Sequence, residues 1–161
     1  MIVPETRQAI LVLGMHRSGT SALAGILSLC GASLPATLMP PADYNPKGFF
    51  ESGAIFQAHQ QLLAELGSSW DDQAPLPDGW VELPLGRRHI AEMATLMEAE
   101  FGSSTLLVLK DPRICRLVPF WTEVLRALSI DFSFALPVRN PLEVAQSLEE
   151  AQGVPLKKGL L

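Results

Sequence analysis

The densest chemistry in the sequence lies in Gly14-Met15-His16-Arg17-Ser18-Gly19-Thr20-Ser21. Two glycines frame a histidine, an arginine and a serine, and two more hydroxyl side chains follow the second glycine. The apolar run Ile10 to Leu13 precedes them, and Leu23, Ile26, Leu27 and Cys30 follow at one-face helical spacing. A helix start leaves backbone N–H groups without partners, so strand, glycine loop and helix together make an anion cradle. The spacing comes close to G-x-x-x-x-G-K-[ST], the loop that holds nucleotide triphosphates, with Gly14, Gly19 and Ser21 in place. Thr20 stands where the lysine belongs, and the nearest cation is Arg17. Such a loop suits a phosphate-like anion but not an ordinary NTPase.

A second constellation follows an apolar run ending at Val138: Arg139-Asn140-Pro141, with Ser147 further on. An arginine there offers a fork of donors that matches a phosphate. Ser147 lies about 9–10 Å along the next helix at ~1.5 Å rise per residue, so packing must bring it to the site. The groups able to take a proton are Glu51, His59, His16, Asp71, Asp72 and Asp111. Glu51 is preferred, because it follows a turn and the aromatic pair Phe49-Phe50 that would desolvate it; His59 is next. Lys110 and Arg113 flank Asp111 and could pair with it to fix a strand tip.

The elements that must position these groups alternate in type. Strands are expected over 9–13, 105–109 and 132–138, the last closed by Arg139. Helices are expected over 19–30, 53–66, 85–101 and 116–128, and Asn140-Pro141-Leu142-Glu143 opens another with a capping arrangement. His59, in Gln57-Ala-His59-Gln-Gln, reads as a solvated helix face. Prolines at 35, 40, 41 and 46 break the chain between the first two helices, with a turn at Asn45-Pro46-Lys47-Gly48. The alternation points to an α/β domain with a central parallel sheet, P-loop-like and three-layered. Three strands make a thin sheet for that class, and residues 154–161 read as the start of another element. The domain is therefore expected to be C-terminally incomplete, or to take further sheet from elsewhere.

The 161 residues, 48% of them hydrophobic, suffice for one domain with a sizeable core. Seventeen acidic against twelve basic side chains give a net charge of −5, which speaks against nucleic-acid binding. The N-terminal apolar run is too short for a signal-peptide core or a membrane span, so the cytoplasm is the expected compartment. Cys30 and Cys115, in apolar surroundings without metal-ligand spacing, read as buried free thiols in keeping with a reducing compartment.

Two motifs together resemble the sulfotransferases that use 3′-phosphoadenosine 5′-phosphosulfate (PAPS). Arg17-Ser18-Gly19-Thr20-Ser21 is similar to that family's 5′-phosphosulfate loop, which often reads Lys-Ser-Gly-Thr-Thr. Val138-Arg139-Asn140-Pro141 with Ser147 is similar to its 3′-phosphate motif. Asn45 to Glu51 and Leu109 to Arg113 also resemble bacterial members expected to act on carbohydrate or lipid-like acceptors. The resemblance spans residues 10–158 and implies sulfuryl transfer to a hydroxyl or amine, with adenosine 3′,5′-bisphosphate as product and no metal. It implies a PAPS site made of His16, Arg17, Ser18, Gly19, Thr20, Ser21, Arg139 and Ser147, with Arg17 and Glu51 in catalysis. Residues 35–101 would shape the acceptor pocket, for a small molecule, glycan or lipid. Arginine hardly releases its proton, so Arg17 would act by charge where the family's lysine can also donate. Two other readings stand beside this one. They are a divergent P-loop nucleotide kinase using Mg-ATP and a non-catalytic nucleotide- or anion-binding module.

Overall fold

A computed structural model describes residues 6–160. Its sheet has three short strands, β1 (Gln8–Val12), β2 (Leu106–Lys110) and β3 (Asp131–Ala135), in the order β2-β1-β3 and all parallel. β1 is central, and Val12 pairs with Lys110 on one side and with Ala135 on the other. That register puts the tips of all three strands at one end, where the loop after β1 begins.

Helices cover both faces, as the alternation of strand and helix requires. Ala9 and Leu11 of β1, with Leu107 and Leu109 of β2, point into the larger core. There they meet α2 (Gly53–Glu65), α3 (Pro84–Phe101) and α4 (Val118–Ala127). Phe120 and Trp121 of α4 are wholly buried in that core. Each such side chain contributes about 1.5–3 kcal/mol on leaving water. The alternate residues Val12 and Val108 face the other way, against Ala24 of α1 (Thr20–Leu29).

The chain ends in α5 (Pro141–Gln152) and the single turn α6 (Leu156–Gly159). Asn140 caps α5 by accepting from the Leu142 N–H, with Pro141 at the first position. Glu143 does not complete a capping box; it accepts from Arg139 instead.

Two expectations need correction. The third strand stops at Ala135, short of Val138 and Arg139. Pro137 has no N–H for a ladder, so residues 136–140 leave the sheet as an irregular crossing. The two cysteines are free, as expected, but both are exposed. Elsewhere the element order follows the sequence pattern, with ends shifted by a residue or two.

Among the described residues no helix is long and apolar enough to cross a membrane.

Candidate functional site

The loop after β1 is shaped by its glycines. Gly14 has φ 150°, and a Cβ there would lie 2.8 Å from the Thr20 methyl and 2.9 Å from Ser18 Oγ. Only glycine lets the loop fold back so closely on the first turn of α1. Gly19, at φ 96°, precedes α1 with no side-chain cap, so the first-turn N–H groups stay open to an anion. Ser18 Oγ donates to the Met15 carbonyl at 2.6 Å and braces the loop from within.

Arg17 is itself left-handed, at φ 66°, a conformation that costs a non-glycine residue about 1–2 kcal/mol. The turn aims its guanidinium across the loop. Nε donates to Ser147 Oγ at 2.9 Å, and Nη1 donates to the Tyr44 carbonyl at 3.2 Å. Arg139 Nη1 donates to the Arg17 carbonyl at 2.9 Å, and its Nε to Glu143. The packing of α5 thus brings Ser147 to Arg17, and Arg17 joins the two sequence motifs.

A lysine reaches this loop from another strand. β2 carries Lys110 level with the end of β1, and its Nζ donates to Ser21 Oγ and to the Phe49 carbonyl, each at 3.2 Å. The same ammonium forms a short, buried ion pair with Glu51. Ser52 caps α2 by accepting from the Ile55 N–H, which fixes where Glu51 sits. Burial pushes the Glu51 carboxyl above its ordinary value, while the Lys110 charge pulls it down and does not fully offset the burial. Sequence reasoning read Lys110 as a possible structural partner of Asp111. The signal that could have found it is a lysine closing an apolar strand expected to lie beside β1.

Beneath this tip is a sealed network. Trp121 Nε1 donates to His59 Nε2 at 3.0 Å, and an indole N–H can only donate. The ring proton of His59 is therefore on Nδ1, which donates to Asp111 Oδ2 at 2.9 Å. Asp111 Oδ1 accepts from the Arg113 backbone N–H and guanidinium. Burial alone would raise the Asp111 carboxyl; His59 and Arg113 outweigh it and hold the group well below the carboxylate range. His59 is wholly buried on the core face of α2, not solvated.

The remaining proton-accepting candidates divide. Asp71 pairs with Lys158, and Asp72 accepts from Ser68 Oγ and the Ala74 N–H, so both hold the loop after Gly67. His16 packs edge-on against Trp70, with a buried Nε2 that has no partner among the described residues. Burial, then the charges of Lys110 and Arg113, hold its pKa down to about 4, so the ring is neutral at neutral pH.

Most of the expected residues converge. His16, Arg17, Gly19, Thr20, Ser21, Glu51 and Arg139 line one cavity of about 210 Å³, joined by Lys110. Ser18 lines a neighbouring, largely apolar cavity of about 500 Å³, with Trp70, Leu136, Val138 and Val144. Arg139 lines both. The segment expected to shape the acceptor pocket contributes Tyr44, Asn45, Phe49 and Glu51 to the smaller wall.

Among the described residues no three His, Cys, Asp or Glu side chains gather as a metal-binding group. Comparison with known proteins gives no match, whether with family models, curated proteins or solved structures.

Proposed function

We propose that this chain binds 3′-phosphoadenosine 5′-phosphosulfate and transfers its sulfuryl group to a hydroxyl or amine of an acceptor. The observation that carries the reading is that three cations from three separate stretches of the chain, Arg17, Lys110 and Arg139, line one small cavity with the open start of α1. A site so made favours a ligand with several negative charges. The larger apolar cavity beyond Arg139 has room for a nucleoside, so the phosphosulfate and 3′-phosphate would lie on either side of Arg139.

When bound, PAPS supplies the transferable sulfuryl group and a leaving phosphate. The chain's own groups do the rest. The α1 N–H groups and the Thr20 and Ser21 hydroxyls hold the 5′ end. Arg17, fixed by Ser147 and the Tyr44 carbonyl, stabilises charge on the bridging oxygen without giving up a proton. Arg139 holds the 3′-phosphate. Glu51 takes the acceptor's proton. An acceptor built on carbohydrate or lipid rests on the sequence resemblance alone.

One observation favours the second reading, a nucleotide kinase: Lys110 restores an ammonium beside the hydroxyl of Ser21. The two readings part at the 3′-phosphate. In the Arg139→Ala variant, affinity for adenosine 3′,5′-bisphosphate should fall by about tenfold or more, the worth of a charged hydrogen bond. Affinity for AMP should barely change, as isothermal titration would show. Equal losses for both ligands would remove Arg139 from the 3′ site and take the main support from the reading.

A further inference from the structure

Lys110 is the most contested group in the molecule. Its ammonium serves Glu51, Ser21 Oγ and the Phe49 carbonyl together, and both Lys110 and Glu51 lie on the wall of the anion cavity. An anion seated on the α1 N–H groups beside Ser21 competes directly for that ammonium. A multiply charged anion outbids a single carboxylate in such a place, because Coulomb energies grow as water is excluded. Meanwhile the Lys110 charge lowers the proton affinity of Glu51 for as long as the pair holds, which makes the carboxylate a weaker base.

Resting on the reading above, we propose that Lys110 exchanges partners. It holds Glu51 in the free protein, moves to the phosphosulfate when that binds, and so frees Glu51 to act as base. In the transfer that follows, the acceptor O–H bond breaks and its proton goes to a Glu51 carboxylate oxygen. The acceptor oxygen bonds to sulfur. The bond between sulfur and the bridging oxygen breaks, leaving its electron pair on adenosine 3′,5′-bisphosphate. After product release Glu51 returns its proton to solvent and the ion pair re-forms.

The groups facing Glu51 set the direction of its titration. Lys110 and Arg113 lower it, while burial and Asp111 raise it. His16, Arg17 and Arg139 share the cavity wall. Departure of Lys110 and arrival of an anion act in the same direction, so the carboxyl titrates at higher pH in the complex than in the free protein.

Two measurements on the full chain test the exchange. The first is a double-mutant cycle on bisphosphate affinity. Glu51→Gln should tighten binding by about fivefold or more, because Lys110 no longer has to leave a charged partner. In a Lys110→Met background the same change should alter affinity by less than about twofold. Equal tightening in both backgrounds, or weakening in the first, overturns the proposal, since a general field effect does not act through Lys110. The second needs no variant that could fail to fold. The Glu51 side-chain carbon, followed by NMR in the wild-type protein, should titrate at higher pH once bisphosphate saturates the site. An unmoved titration with bisphosphate bound overturns the exchange but leaves the PAPS reading standing. No bisphosphate binding at all overturns both.

Discussion

The tips of β2 and β3 flank the same loop and could hardly differ more. At β2 the run Lys110-Asp111-Pro112-Arg113 is buried or half-buried, and every charged group has a partner. Ser33 bridges the strand's outer side through backbone hydrogen bonds, accepting from Val108 and donating to Leu106. At β3 the run Leu136-Pro137-Val138-Arg139 is open, with Leu136 63% and Val138 90% exposed. Among the described residues, Arg139 is held only by Glu143 and the Arg17 carbonyl. Among the described residues no strand pairs with the other edge of β3. The contrast separates two jobs. The β2 tip holds its cation among buried partners, where electrostatics are strong. The β3 tip leaves its cation exposed, with little committed to it.

The sharpest way to break that contrast is at Asp111. Asp111→Ala would strip His59 Nδ1–H and the Arg113 guanidinium of a buried partner. Loss of one member of such a buried charged network costs about 3–5 kcal/mol. Arg139→Ala, on an exposed side chain, should change stability by no more than about 0.5 kcal/mol. Urea unfolding of both variants reads the difference, and comparable losses would abolish the distinction between the tips. The pH dependence sharpens it further. Asp111 is held below its ordinary value of 3.8, so its contribution is present above that pH and fades as pH falls beneath it. Wild type and Asp111→Ala should therefore converge only in strong acid.

A smaller effect comes from His16, which faces the charged β2 side. Its pKa falls from 6.5 to about 4. Between those values the unfolded chain binds a proton that the folded chain refuses, so stability declines as pH falls from 6.5 towards 4. The full loss is roughly 3 kcal/mol at about 1.4 kcal/mol per unit. His16→Gln should flatten this stretch of the stability–pH curve. Glu51, raised by burial, works in the opposite sense in its own window, so the variant minus wild-type difference is the quantity to read. An unaltered slope would mean that burial and the neighbouring cations do not hold His16 neutral.

What was legible in the sequence was local. The glycine loop, the turn at Asn45 to Gly48 and the Asn140-Pro141 helix start are each set by residues a few positions apart. The structure forms all three where the residues place them. The contacts of Lys110 were not legible, because its partners Ser21 and Glu51 lie 89 and 59 residues away and meet it only once β2 pairs with β1 and the helices pack. Ser147 meets Arg17, 130 residues away, through the packing of α5 against the loop after β1. His59 was misread for a different reason. Its neighbours Gln57, Gln60 and Gln61 look solvated, yet Ile55, His59, Leu62 and Leu63 share one helical face. Spacing, given more weight than polarity, would have buried it. The early end of β3 was legible in Pro137, whose missing N–H stops the ladder.

On the proposed reading, the two cavities that meet at Arg139 together take a nucleotide carrying a separate 3′-phosphate. Thermal unfolding of the intact chain tests it, with adenosine 3′,5′-bisphosphate, AMP and Mg-ATP added in turn at equal concentration. The account expects the bisphosphate to raise the midpoint clearly, and AMP and Mg-ATP to raise it little or not at all. Stabilisation by Mg-ATP alone would contradict the account and make the chain a kinase-like protein.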